Sequence, residues 1–193
     1  MIISVDTGLN NFGLVAIDPE ENHAIKFATV IQPKKTKDKK VRVSTDYAAK
    51  ITHITEVIKE VIAQYPIHGI TGEMPSFGAQ SSKAAISLTA GASIILTVAA
   101  MAGLPTMWQP PNLLKKTFTG NYQATKKDIM RVACWMYGWE ITHNKVKDKK
   151  KELGFRMDPV YHVMGTKMSA GYFEHIADAI AAYHTCVKLR KGV

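Results

Sequence analysis

The first apolar run in this sequence closes on an acid, a later strand-like run ends on a second, and a third acid interrupts an apolar run near the end. Asp6 follows Ile2-Ile3-Ser4-Val5 and precedes Thr7-Gly8, after which a second apolar run, Phe12 to Ile17, begins. Glu73 closes the run that starts at Ile67. Asp178 stands inside Ile176-Ala177-Asp178-Ala179-Ile180, three residues after His175. A carboxylate at the end of a buried strand is poorly placed for packing and well placed to hold a cation at the open edge of a sheet. An unpaired acid among buried apolar residues is costly. Any fold this chain adopts has to bring these acids to a place that suits them.

The apolar spacing predicts the elements around them. Ile2 to Asp6, Phe12 to Asp18 and Ala24 to Ile31 read as strands joined by short turns, an antiparallel meander. Tyr47, Ile51, Ile54, Ile58 and Ile62 recur at helical spacing. Ile67 to Glu73 and Leu104 to Trp108 read as a fourth and a fifth strand, with a helix over residues 84–102 between them. Lys126 to Tyr137 reads as a helix capped by Thr125, and Tyr172 to Leu189 as the last one. The order βββαβαβαα predicts an α/β fold, a five-stranded mixed sheet (three antiparallel strands, then two more) flanked by helices. At 193 residues it is expected to form a single domain over residues 1–193. Residues 140–172 form a polar, basic segment of weak periodicity, read as an insertion.

Charge narrows the partners. The formal net charge of +9 favours a polyanion, nucleic acid before a membrane surface. The run Lys34-Lys35-Thr36-Lys37-Asp38-Lys39-Lys40 is either a solvated linker or a phosphate contact. From Ala84 to Leu114 there is no charged residue, but Ser87, Thr89, Gly91, Ser93 and Thr97 make the helix too polar for a membrane span. A buried helix, or one that pairs with a second copy of itself, is expected. Two cysteines, Cys134 and Cys186, give neither a disulfide framework nor a zinc spacing, and a reducing compartment is expected. The N-terminus shows no basic region followed by a cleavage site, so secretion is not expected.

Taken singly, each acid has an ordinary reading: Asp6 as a turn cap, Glu73 as a solvated edge residue, His175 as a helix-start residue. Taken together they are a ligand set. His175 and Asp178, three apart, project from one helix face toward the sheet edge. With two strand-end carboxylates they offer four oxygen or nitrogen donors to a hard divalent cation such as Mg²⁺. Two such ions about 4 Å apart can clamp the attacking and leaving oxygens of a phosphodiester.

The motifs resemble those of a known family. Ile3-Ser4-Val5-Asp6-Thr7-Gly8 followed by Gly13-Leu14-Val15-Ala16-Ile17 resembles the opening of the RuvC-type Holliday junction resolvases, within the RNase H-like superfamily. Ile70-Thr71-Gly72-Glu73 resembles their second acidic strand, and His175 to Ala181 their C-terminal motif. The resemblance implies a Mg²⁺-dependent endodeoxyribonuclease, with Mn²⁺ as a substitute and two ions per site. It would bind a four-way DNA junction as a homodimer through the 84–102 helix and nick two strands symmetrically. Asp6, Glu73, His175 and Asp178 would be its catalytic residues and metal ligands. Phe77 would be the aromatic that wedges into the junction, and Lys115, Lys116, Lys126 and Lys127 would hold the DNA backbone. Lys126 and Lys127, at a helix start beside Thr125, are the pair expected to converge on one phosphate.

The segment 140–172 departs from the family pattern, which has a short connection there, and suggests a divergent or phage-type member. The cytoplasm of a bacterial or phage-infected cell is the expected location. Another RNase H-like nuclease, acting on flaps, branched DNA or RNA–DNA hybrids, is the alternative enzyme. A junction-binding protein without catalysis is disfavoured by the intact ligand set. An actin-like ATPase, which shares the strand followed by Asp-x-Gly, needs two such domains and more residues than this chain has.

Overall fold

The computed structural model describes residues 1–33, 42–75, 82–148 and 155–190. Thirteen elements follow one another: β1 (Ile2–Asp6), β2 (Phe12–Asp18), β3 (Ala24–Ile31), α1 (Val43–Gln64), β4 (Gly69–Glu73), α2 (Ser82–Met101), β5 (Thr106–Gln109), α3 (Pro111–Thr119), α4 (Lys126–Tyr137), β6 (Ile141–Lys147), β7 (Phe155–Val163), β8 (Thr166–Ser169) and α5 (Ala170–Arg190).

The first five strands form one sheet in the order β3-β2-β1-β4-β5. The meander is antiparallel, as expected, with Asp6 opposite Gly13. β4 does not continue outward from β3. It joins on the far side of β1, parallel to it, and β5 lies parallel beyond β4. Because β1 and β4 run the same way, their acidic C-terminal ends emerge side by side at one sheet edge.

The sheet is covered on both faces, which is why β2 is apolar nearly throughout. Leu14 and Ala16 pack with Ile3, Val5 and Ile70 against Ile54 and Ile58 of α1 and Ile95 and Val98 of α2. Val15 and Ile17 face the other way, into a core built from α3, α4, α5 and β7. The last helix crosses that second face against β1, β2 and β4. Its ten buried residues include Phe173, Ile176, Ile180 and Tyr183. Ser4, on the α5 side of β1, would be a stranded buried hydroxyl, but its Oγ donates to the Ala179 carbonyl at 2.6 Å.

One glycine sets how closely α5 can approach. A Cβ at position 13 would lie 2.4 Å from the carbonyl oxygen of His175. That contact is with backbone, so it can be relieved only by moving the helix or the strand. Gly13→Ala is expected to destabilise the fold by about 1–3 kcal/mol, the usual cost of overpacking. It should also shift the α5 N-terminus away from Asp6. Unchanged urea stability in Gly13→Ala would contradict this packing.

Two parts of the chain differ from expectation. Residues 111–119 form a helix that the apolar spacing does not predict. Pro111 occupies the first helical turn, where a missing N–H costs nothing, and Leu114 and Phe118 bury one face. Residues 141–169, read as a basic segment without strong periodicity, hold a three-stranded antiparallel sheet, β6-β7-β8. Its alternation is hard to see because six of the seven residues of β6 are exposed, and among the described side chains of the sheet burial is confined to Tyr161 and Val163 of β7. Pro159 pairs with His143 on one side only, since β8 reaches only from Val160 to Val163. The capping of α4 by Thr125 is borne out: Thr125 and Asp128 bond reciprocally. Cys134 and Cys186 are free and buried, as expected. Among the described residues no helix is long and apolar enough to cross a membrane. The basic run at residues 34–40 lies outside the described residues.

Candidate active site

Three elements converge on one cleft of about 750 Å³. Asp6 comes from the end of β1 and Glu73 from the end of β4, while His175 and Asp178 come from the first turns of α5. All four line the cleft. The His175 Nδ1–H donates to Asp6 Oδ2 at 2.6 Å, joining two elements 169 residues apart in sequence. This leaves Nε2 as the free ring nitrogen. A ligating histidine commonly donates its other N–H to a carboxylate in this way.

The electrostatics mark the cluster as under-neutralised. Burial, and then the charge of Asp6, push the Glu73 carboxyl from 4.5 up to about 7, although Lys115 and Lys126 pull the other way. Asp178 is raised well above the usual aspartate range, by burial first and then by Asp6 and Glu73. Acids driven up by burial and by one another are a feature of functional sites.

A hard divalent cation fits this donor set by its chemistry. The set offers three carboxylates and a histidine nitrogen, and the raised Glu73 and Asp178 carboxyls would release their protons more readily beside a cation. The set is open as it stands: among the described residues no three His, Cys, Asp or Glu side chains are drawn together tightly enough to enclose an ion.

The lysines divide into two pairs. Lys115 and Lys126 line the cleft, whereas Lys116 and Lys127 are exposed and lie outside its lining. Lys116 instead stands over the ring of Tyr122, 4.7 Å from its centroid. Burial works against the Lys126 charge, but its bond to Glu174, with Asp178 and Asp6, outweighs this and holds its proton on more tightly. Asp128 occupies the α4 N-terminus that was expected to meet a phosphate. Phe77 lies outside the described residues.

Several cleft residues escaped the sequence reading: Asn10, Asn11, Tyr47 and Ser87 line the cleft, and Glu174 meets it through Lys126. Two adjacent asparagines between strands signal a turn, and that reading hides any further role. Glu174 stood beside His175 and could have been flagged by that position alone.

Comparison with known proteins agrees with the geometry. A sequence profile described as "Crossover junction endodeoxyribonuclease RuvC" matches residues 2–139. That span includes Asp6 and Glu73 and stops before His175 and Asp178. Among solved structures, Thermus thermophilus RuvC in complex with a Holliday junction substrate aligns with a TM-score of 0.66 at 18% identity, over 99% of this chain and 95% of that chain. A yeast mitochondrial Holliday junction resolvase aligns with a TM-score of 0.60 at 10% identity, over 98% of this chain and 78% of that chain. At such identities the likeness shows the fold, the RNase H-like arrangement of sheet and helices. No curated protein matches by sequence.

Proposed function

Because the chain belongs to the RuvC family of crossover junction endodeoxyribonucleases, we propose that it resolves four-way DNA junctions by paired symmetric nicks, with Mg²⁺ as its cofactor and Mn²⁺ as a substitute. The observation that carries this reading is the meeting of Asp6, Glu73, His175 and Asp178, from three elements, in one cleft. In this proposal those four residues hold two ions. When bound, the ions supply an activated water and stabilise the leaving 3′ oxygen.

The chain's own groups have separable tasks. Asp6 fixes the His175 ring and is the carboxylate common to the repulsion felt by Glu73 and Asp178. Lys115 and Lys126 provide positive charge in the cleft for phosphate oxygens, which supplies affinity without sequence choice. Lys116 and Lys127 offer charge to backbone further out, and Phe77 is assigned the wedge at the junction. Residues 1–193 act as one nuclease domain, with 140–172 as its insertion, in the cytoplasm of a bacterial or phage-infected cell. A Mg²⁺-containing panel of four-way junction, flap, RNA–DNA hybrid and plain duplex tests the reading. Preference for the junction supports it, and equal or better cleavage of hybrid or flap assigns the chain to a broader RNase H-like nuclease activity.

Two symmetric nicks require two active sites, and α2 supports a homodimer. Ile94, Ile95 and Val98 bury one face in the core, while Ile86, Leu96 and Met101 are exposed, on a stretch with no charge from Ala84 to Leu114. Exposed apolar residues on an uncharged helix of this kind support an interaction surface there. Leu96→Glu is expected to convert a dimer into a monomer by light scattering, and to leave binding of a single duplex arm. A wild-type protein that is monomeric at micromolar concentration would contradict the dimer.

A further inference from the structure

The turn between β1 and β2 brings two asparagines into the same cleft, each with one end of its amide already committed. Lys50 Nζ donates to Asn10 Oδ1 at 2.9 Å. Gln32 Nε2 donates to Asn11 Oδ1 at 2.7 Å. Gln32 is itself oriented, because the Tyr172 hydroxyl donates to its Oε1. Lys50 is a buried lysine, only 8% exposed, paired with Asp46 at 2.7 Å. The loop backbone is pinned as well: Leu9 N–H donates to Ser87 Oγ at 3.1 Å, and a Cβ at Gly8 would meet the Asn11 carbonyl at 2.9 Å.

From this arrangement we infer that Asn10 and Asn11 form a phosphate-binding shelf, aimed at the non-bridging oxygens of the DNA strand that enters the cleft. An amide has one acceptor end and one donor end. Each Oδ1 accepts a bond that fixes which way its amide lies, and the Nδ2 groups give no hydrogen bond among the described residues, so they are donors to offer to a ligand. Donors of this kind cannot ligate a cation. They match phosphate oxygens, which only accept. Burying a lysine is expensive unless it is paired and bonded, and here it fixes the polarity of an exposed cleft residue from behind. Lys50 is thus a positioning residue for Asn10, as Gln32 and Tyr172 are for Asn11. The shelf rests on the nuclease reading, since it supposes a DNA strand in the cleft.

The test measures binding of a synthetic four-way junction without divalent metal at several salt concentrations, and single-turnover cleavage with Mg²⁺. Asn10→Asp and Asn11→Asp replace each donor by an acceptor of the same shape. Each is expected to weaken junction binding by about tenfold or more, the scale of a hydrogen bond to a charged group. Lys50→Met combined with Asp46→Asn frees the Asn10 amide to turn and removes both charges of the Lys50–Asp46 pair. It is expected to weaken binding by about threefold to tenfold. The salt slope should be unaltered, because no lysine-to-phosphate contact is lost; a merely structural role would lower the melting temperature and leave affinity intact. Wild-type protein that binds and cuts the junction alongside Asp variants that do the same would overturn the shelf and leave the nuclease reading standing. Wild-type protein that neither binds nor cuts would overturn both.

Discussion

Asp6→Asn abolishes Mg²⁺-dependent cleavage of a four-way junction and leaves junction binding nearly intact: this is the largest effect the site predicts. The substitution keeps the shape of the side chain and an oxygen to accept the His175 N–H, so packing at the end of β1 should survive. What it removes is the charge that faces Glu73 and Asp178. A metal ion contributes several kcal/mol to phosphoryl chemistry, so the rate should fall by roughly a thousandfold or more. Binding should change by less than about threefold, because backbone affinity comes from basic groups rather than from acids. One acid fewer in the cleft also removes a little repulsion. Cleavage by Asp6→Asn at even a tenth of the wild-type rate would show that the metal does not depend on Asp6.

The second large effect appears in stability as well as activity. Glu73 is held at about 7 in the folded chain, by burial and then by Asp6. The folded state therefore keeps this proton at a pH where the unfolded chain has released it. Between about pH 4.5 and 7 the folded state binds more protons, so stability falls as pH rises through that window. Above it, the ionised Glu73 costs the metal-free fold about 3 kcal/mol, the equivalent of the shift. Glu73→Gln should abolish cleavage and yet make the metal-free protein more stable at pH 8 by up to about 3 kcal/mol. Near pH 4.5 the gain should vanish. Mg²⁺ should stabilise the wild-type protein at pH 8 more than it stabilises the variant. Urea denaturation in chelator at the two pH values measures this, and a variant less stable than wild type at pH 8 would contradict it.

Much of this site was legible because its acids sit where a core does not put them. Asp6 and Glu73 each end a strand, and strand pairing does the rest: parallel β1 and β4 bring the two ends together. Asp178 was legible as an acid inside a buried helix face, and His175 by its spacing from it. The hydrogen bond from His175 to Asp6 of β1 was not, since it depends on Gly13 letting the backbone of α5 close in. The asparagine shelf was hidden for a related reason. Asn10 and Asn11 look like ordinary turn residues, and their meaning comes from Lys50 and Gln32, 40 and 21 residues away. The lysines were read by position along the chain, which cannot tell Lys115 and Lys126 in the cleft from Lys116 and Lys127 outside it. The β6–β8 sheet was missed because a strand exposed on both faces has no apolar period to read.

The central claim, that one cleft on each of two copies cuts opposed strands of a junction, is tested most directly by strand-resolved cleavage. A four-way junction labelled on each of its four strands in turn is cut with Mg²⁺ under single-turnover conditions. Nicks are expected on two opposed strands at symmetric positions, and none in chelator. Cleavage confined to one strand, cleavage that persists in chelator, or an uncut junction beside a cut plain duplex would contradict it.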